Sequence, residues 1–371
     1  MENWKSGELG NFITLKRGFD LPQQKRETGR VPVFSSSGIT GVHSQAIVKA
    51  PGVITGRYGT IGEVFFSAED FWPLNTTLFV EDFHGNDEKF IYYFLKTVPW
   101  SKFTAASAVP GINRNTVHKE TVRLPELQTQ KKIAAALSLL DEKIRTNAKI
   151  NDNLEQQAQA YFQELFIDNA DPEWTTETIS DLGTVVGGST PSKAKPEYYT
   201  ESGIAWITPK DLSLNKSKFI THGENDITEL GLKNSSAAIM PEGTVLFSSR
   251  APIGYIAIAA GEVTTNQGFK SVVPKPEIGT PFVYFFLKNT LPVIEGMASG
   301  STFKEVSGST MKNVPAVIPD AETLAKFSDF CAPIFAQQRL LEEQNQSLAK
   351  LRDRLLPKLM SGAIDVSAVR L

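Results

Sequence analysis

The chain has 371 residues and carries 38 Lys and Arg against 41 Asp and Glu, a formal net charge of −3. That length holds two domains, and the slight acidity argues against a bulk polyanion binder. No apolar run approaches a membrane span, the opening Met1-Glu-Asn-Trp-Lys-Ser-Gly7 has no apolar export core, and a lone cysteine, Cys331, allows no internal disulfide, so a cytoplasmic protein is expected.

Residues 1–125 read as strand-rich, with short β-branched or alternating runs between Gly and Pro turns. The runs are Phe12–Leu15, Val31–Phe34, Val53–Thr55, Ile61–Phe66 and Thr76–Val80, followed by a helix near Glu88–Thr97. A long helix is expected over residues 126–168. Its seam, Ile133, Leu137, Leu140, Ile144, Asn147, Asn151, Leu154, Ala158, Tyr161 and Leu165, alternates steps of four and three, the spacing of a coiled-coil face. Asn169-Ala-Asp-Pro172 is a linker. Residues 173–320 repeat the strand-rich theme near Ala205–Thr208, Val245–Ser248, Tyr255–Ala259 and Phe269–Val273, with a helix near Pro281–Asn289. A second long helix over residues 321–361 carries the seam Phe327, Cys331, Ile334, Gln338, Leu341, Asn345, Leu348, Arg352, Leu355 and Leu359, and residues 362–371 form a tail. Pro357 is expected to kink or end this helix near its last turn.

The chain is built twice. Phe90-Ile-Tyr-Tyr-Phe-Leu-Lys96 is echoed by Phe282-Val-Tyr-Phe-Phe-Leu-Lys288, and each seam residue of the second helix lies 194 positions after its counterpart. Arg57 before a glycine turn answers to Arg250, Asn75 to Asn266, and Ala106-Ser107 to Ala298-Ser299. The second copy carries an insertion of about twenty residues in its N-terminal half, containing Pro191-Ser-Lys-Ala-Lys-Pro196. The expectation is an internal pseudo-dimer: two helices equivalent about a two-fold axis run antiparallel, each about 60 Å long at about 1.5 Å per residue. Asn151 and Asn345 fall near mid-helix, where a buried polar seam residue fixes register.

Charge is uneven along the chain. Residues 1–125 carry 14 basic and 12 acidic side chains, residues 126–172 carry 5 and 8, residues 173–322 carry 12 and 16, and residues 323–371 carry 7 and 5. A nucleic-acid reader made from this chain must focus positive charge through its fold. No catalytic constellation is evident. His43, His84, His118 and His222 are scattered, with no cysteine at metal-ligand spacing. Gly187-Gly188-Ser-Thr-Pro-Ser-Lys193 lacks the second half of a phosphate loop and reads as a flexible turn. A binding module is favoured over an enzyme with a site between the two units, and a scaffold that uses its coiled coil without touching DNA is the other alternative.

Three segments resemble type I restriction-modification specificity subunits: Leu124-Pro-Glu-Leu-Gln-Thr-Gln-Lys-Lys-Ile133, Leu154-Glu-Gln-Gln-Ala-Gln-Ala-Tyr-Phe-Gln-Glu-Leu-Phe166, and Leu351-Arg-Asp-Arg-Leu-Leu-Pro-Lys-Leu-Met-Ser-Gly-Ala-Ile364. The resemblance implies an α+β fold with two strand-rich target recognition domains related by pseudo-two-fold symmetry, separated by an antiparallel coiled coil. It implies a non-catalytic subunit that reads an asymmetric bipartite site in the major groove of double-stranded DNA. Two methyltransferase subunits would dock on it, bringing S-adenosylmethionine for adenine methylation, and restriction subunits would add ATP and Mg.

Base readout under that reading needs guanidinium and amide groups on loops. The candidates are Arg57, Tyr58, Asn75, Thr76, Ser107, Asn113, Arg114 and Asn115 in the first unit. In the second they are Arg250, Asn266, Gln267, Ser299, Ser301, Thr302 and Lys304. Lys16, Arg17, Lys193 and Lys210 are candidates for phosphate positioning. Each has a structural alternative: an Arg before a glycine turn caps carbonyls, and an Asn completes a turn. The Phe90–Phe94 and Phe282–Phe286 segments read as core rather than as stacking platforms.

Overall fold

A computed structural model describes residues 4–104, 111–300 and 304–366. Ser107, Ser301 and Thr302, with Ala106, lie outside the described residues. The chain divides into two compact units, residues 1–145 with 346–371, and residues 146–345. Among the described residues no helix is long and apolar enough to cross a membrane.

In chain order the first unit contains β1 (Trp4–Glu8), β2 (Thr14–Arg17), β3 (Val31–Ser35), β4 (Gly38–His43), β5 (Gly52–Gly56), β6 (Val64–Ser67), β7 (Trp72–Pro73) and β8 (Thr77–Asp82). Then come α1 (Glu88–Leu95), α2 (Arg114–His118), β9 (Thr121–Pro125) and the start of α3 (Leu127–Gln163). The main sheet has the order β2-β8-β5-β6, beside a smaller sheet β4-β3-β7 and the pair β1-β9. Buried Leu15, Val53, Leu78 and Val80 face α1, whose Phe90, Ile91 and Phe94 pack into the same core. The Asp87 carboxylate caps α1 by accepting from Phe90 N at 2.8 Å. Gln130, 2% exposed, ties the long helix to this unit: its Oε1 accepts from Asp87 N at 2.9 Å, and its Nε2 donates to Pro125 O at 2.9 Å. The buried Gln of the helix-entry motif is therefore a strut between α1 and α3.

The second unit contains β10 (Thr175–Thr178), α4 (Ile179–Leu182), β11 (Gly183–Gly187), β12 (Tyr199–Thr200), β13 (Ile204–Ile207), α5 (Pro209–Leu214), β14 (Phe219–Ile220), β15 (Asn225–Ile227) and α6 (Glu229–Lys233). It continues with β16 (Val245–Ser249), β17 (Ile253–Ala259), β18 (Thr264–Thr265), β19 (Lys270–Pro274), α7 (Thr280–Met297), α8 (Gly308–Lys312), β20 (Pro315–Ile318) and the first part of α9 (Ala321–Met360). Its main sheet is β11-β19-β16-β17-β14, beside β12-β15-β13-β18 and the pair β10-β20.

Each unit holds a pair of antiparallel helical segments, since partner numbers fall on one helix as they rise on the other. In the first unit Asp141 meets Arg352 at 2.7 Å, and Ile133 and Leu137 share a core with Leu359 and Met360. In the second, Asn147 Nδ2 donates to Asn345 Oδ1 at 2.9 Å, Asn151 and Gln338 exchange side-chain-to-backbone bonds at 3.3 and 3.2 Å, and Phe162 packs on Phe327. The partner of Asn345 is thus Asn147, one turn before its repeat counterpart Asn151. Among the other seam residues, Leu140, Ile144, Leu154 and Leu348 are half-buried, and Ile334 and Leu341 are buried.

Bridges and backbone bonds define the repeat independently of side-chain identity, and they move three sequence readings. Leu74 N donates to Phe34 O at 2.8 Å as Asn266 N donates to Ile207 O at 3.0 Å, so Leu74, not Asn75, is the counterpart of Asn266. The isolated bridges Tyr58–Gly111 and Arg250–Glu305 make Tyr58, not Arg57, the counterpart of Arg250. The insertion also moves. Phe34 matches Ile207 through the parallel pairing of β3-β7 and β13-β18, whereas Gly56 and Thr77 match Ser248 and Phe269. The offset rises from 173 to 192 between those points, so the nineteen extra residues lie between β13 and β16, where α5, β14 and α6 sit. The Pro191–Pro196 segment is not the insertion.

Gly188 is not a flexible turn: a Cβ there would lie 2.0 Å from Asn266 O, as one on Gly18 would lie 2.2 Å from Leu74 O. Both are close-approach glycines. Phe12 and Ile61 fall outside strands. Phe12 closes a 3-10 turn, donating its N–H to Leu9 O at 2.9 Å. The second-unit helix runs past Asn289 to Met297, and α9 continues three residues beyond Pro357.

Candidate nucleic-acid interface

Strand β2 buries Leu15, leaves Lys16 half-buried on the opposite face, and ends on an exposed Arg17. Beyond β5, Tyr58 precedes Gly59 and Gly62, whose φ angles of +80° and +95° belong to glycine. The segment from Gly111 returns across this turn, with Ile112 N donating to Arg57 O at 3.0 Å. A Cβ on Gly111 would lie 2.1 Å from the Tyr58 ring, so glycine is what lets the two segments close. The closure sets Asn113, Arg114 and Asn115 beside Arg57. Lys16, Arg17, Arg57, Tyr58, Asn113, Arg114 and Asn115 then line one cleft of about 570 Å³ together with Leu78, Gly111 and Ile112.

No acidic side chain is among those lining residues. At the margin, Glu81 pairs with Lys16, and Asp20 lies 3.8 Å from Arg17. The Arg57 guanidinium stacks 4.5 Å from the Tyr58 ring centroid, which orients its planar fork without neutralising it. Asn113 Oδ1 caps α2 by accepting from Asn115 N at 2.9 Å, so its carbonyl is already engaged. Behind the cleft, His118 Nε2 accepts from Leu15 N at 2.9 Å and thereby positions the strand that carries Lys16 and Arg17. Burial, then Arg114 and His84, hold the His118 imidazole below its usual value, which favours the neutral acceptor form. Such a cleft presents forked donors and amides to a polyanion.

The second unit uses the same backbone closure, Val306 N to Ser249 O at 2.9 Å, with other chemistry. Arg250 Nη1 meets Glu305 Oε2 at 3.4 Å, and Lys270 Nζ lies 3.8 Å from Glu305 Oε1. Ser299 and Glu305 exchange backbone bonds at 3.1 and 2.8 Å. Asn266 Oδ1 accepts from Gly268 N at 2.8 Å and so completes a turn. The Gln267 side chain accepts from Thr190 Oγ1, and Lys270 Nζ donates to Gln267 O at 3.4 Å. Lys270 therefore links Gln267 to the Arg250–Glu305 pair. Burial lowers its ammonium pKa against the opposing effect of Glu305.

The remaining candidates of the first unit, Asn75 and Thr76, are not among the lining residues of its cleft. Asn75 donates to Asp20. The Thr76 hydroxyl is buried, and Thr76 O accepts from Arg57 N and Tyr58 N at 2.8 and 3.2 Å. Lys210 is paired with Glu224 at 2.6 Å, while Lys193 and Lys304 are exposed. Sequence reading missed Lys270, Glu305, Gly111 and the positioning role of His118. Only Gly111, next to Asn113-Arg114-Asn115, carried a signal there, as a small residue at the mouth of a polar loop.

One fold used twice, with different side chains on the same backbone closure, defines a two-headed binding protein. The family model of the type I restriction modification DNA specificity domain matches residues 1–156 and again 172–350, and the chain belongs to that family. It is similar to the MjaIX specificity subunit of Methanocaldococcus jannaschii, 38% identical over 192 residues, 51% of this chain and 44% of that relative. It is also similar to the HindI specificity subunit of Haemophilus influenzae, 24% identical over 462 aligned positions covering 98% and 100% of the two chains. The solved S subunit from M. genitalium shares the fold, with a TM-score of 0.64 and 19% identity over 96% of both chains. With two specificity domains, the chain is a DNA sequence-recognition subunit of a type I restriction-modification system.

Proposed function

We propose that the two specificity domains read the two unequal halves of a bipartite DNA site through the major groove, and that this chain performs no chemical step. The helices between the domains act as the spacer and as the docking surface for two methyltransferase subunits. Those partners hold S-adenosylmethionine and methylate adenine, and restriction subunits joined to them use ATP and Mg. The observation that carries the reading is the convergence of Arg57, Arg114, Asn115, Lys16 and Arg17 on one cleft with no acidic lining residue among the described residues. A cleft of that kind attracts the phosphate backbone and holds donors where base edges are read.

The test is methylation mapping in cells expressing the chain with its methyltransferase subunits. Arg57→Ala is expected to relax one half of the recognised site at a cost of about 1–3 kcal/mol, while Arg250→Ala alters only the other half. An unchanged site with Arg57→Ala would show that Arg57 serves the fold and would remove the cleft from the interface.

A further inference from the structure

The two main sheets end differently. Strand β6 closes the order β2-β8-β5-β6 and is paired on one side among the described residues. Its counterpart β17 is covered on that side by β14, which runs parallel to it with Phe219 opposite Ile258. Ile258 N donates to Lys218 O at 2.7 Å, and Ala260 N to Ile220 O at 2.9 Å. β14 belongs to the inserted residues, so the first unit has no equivalent.

The covering segment is also bolted to the helices. Lys218 Nζ donates to Glu155 Oε2 at 2.8 Å and to Gln338 Oε1 at 2.9 Å, and it stands 3.4 Å from the Phe335 ring centroid. Glu342 accepts from Lys218 N and Phe219 N at 2.8 and 3.0 Å. At the matching place in the first unit lies an open groove of about 650 Å³, running from β6 to the long helices. At the shared helix offset of 194, Asp141 stands for Phe335, Ile144 for Gln338 and Arg145 for Arg339.

The groove is apolar along the strand and cationic along the helices. Ile39 at its lip is 65% exposed, and Phe66 and Tyr92 pack edge-on at 5.8 Å along it. The Asp141 carboxylate is already held by Tyr93 at 2.6 Å and Arg352 at 2.7 Å. Lys89 stands 3.8 Å from the Phe66 ring centroid, and the one ion pair Arg145 makes among the described residues is a long one, to Glu142 at 3.9 Å. By contrast, Arg339 binds Glu242 at 2.5 Å and Ala260 O at 2.9 Å. An unpaired strand edge is a template for another strand, and the uncommitted charge beside this one is positive.

We propose that the open edge of β6 docks an extended acidic segment of a partner protein, which adds as a fifth strand and meets Lys89 and Arg145 with a carboxylate. This site stands apart from the DNA-reading cleft. The probe is a fluorescent peptide with the sequence of residues 215–221, Asn-Lys-Ser-Lys-Phe-Ile-Thr, carrying Lys216→Glu and Lys218→Glu, offered to the full chain beside the unaltered peptide. The acidic peptide is expected to bind more tightly and to slow amide exchange over residues 64–68 but not over 256–260. Lys89→Glu and Arg145→Glu, each checked for unchanged thermal unfolding, weaken it by about tenfold and shift preference toward the lysine peptide. Ala68→Pro, which removes the N–H matching that of Ala260, abolishes binding of either peptide. No binding up to about 1 mM, binding without protection at residues 64–68, or indifference to both charge reversals overturns the proposal. So does self-association of the chain that Lys89→Glu abolishes, because the occupant is then a second copy.

Discussion

The backbone bridge that pairs Tyr58 with Gly111 in the first unit pairs Arg250 with Glu305 in the second. On one side a ring rests on a residue with no side chain, and the nearby guanidinium of Arg57 is stacked but left charged. On the other, the guanidinium is matched by a carboxylate that also faces Lys270. The sheet and the loop closure are therefore a common frame, and the chemistry offered to a ligand is set by which side chains ride on it. The units differ equally in how the sheet meets the helices. The second seals its edge strand with the buried Lys218 paired to the half-buried Glu155, whereas the first leaves that edge open.

The largest break in this comparison comes from removing the seal. Burial works to raise the Glu155 carboxyl, but Lys218 and Lys288, at 2.8 and 2.5 Å, outweigh it and hold the group at about 2. Glu155→Ala strips the desolvated Lys218 ammonium of its ion-pair partner, and a cost of about 3–5 kcal/mol is expected. The loss should fall on residues 146–345 and spare amide exchange in the first unit. The pH dependence has a definite sign. Because the folded value is depressed below the ordinary 4.5, the contribution is complete above that pH and fades as pH falls toward 2. Equal destabilisation of both units by Glu155→Ala would refute the idea that the pair is a device of the second unit alone.

A smaller effect is expected at the bridge itself. Gly111→Ala places a methyl group 2.1 Å from the Tyr58 ring, which must shift and take the stacked Arg57 with it. A loss of about 1–3 kcal/mol of stability is expected, together with weaker discrimination at the half-site read by the first unit. The matching position holds Glu305, so the frame accepts a side chain there when the opposite residue is Arg250 instead of a ring. The combination Tyr58→Ala with Gly111→Ala should recover stability but not discrimination. Recovery of both would show that the ring only fills space.

Much of this was legible in the residues. The helices could be read because one apolar seam repeats at a fixed offset over its whole length, and burial of Ile133, Leu137 and Leu341 follows from that period. Cationic loop residues could be picked out by type. Their company could not, because Lys16 and Arg57 meet only after β2, β8 and β5 pair in register. The exact repeat register was obscured by identical letters: Arg57 with Arg250 and Asn75 with Asn266 look equivalent, yet hydrogen bonds shift both by one residue. The Pro-Ser-Lys-rich stretch at Pro191 resembles an insertion by composition, whereas the real one is ordinary strand and helix sequence. β1 was missed because Trp-Lys-Ser-Gly-Glu has little strand character, and its partner β9 lies far along the chain.

The finest distinction between the units is protonic. His118 accepts the Leu15 N–H at 2.9 Å, a bond open only to the neutral ring. Burial, with Arg114 and His84, lowers the folded value below the ordinary 6.5, so the unfolded chain takes up a proton first as pH falls. The bond's contribution is therefore complete above 6.5 and lost progressively below it. First-unit stability should decline by about 1 kcal/mol between about pH 7 and about pH 5, read by amide exchange at residues 14–17. His118→Ala should flatten that dependence and cost about as much at neutral pH. It should also weaken DNA binding through misplacement of Lys16 and Arg17 without changing which bases are preferred. A slope that survives His118→Ala would show that His118 is not its source, and the strand behind the cleft would then be held by packing alone.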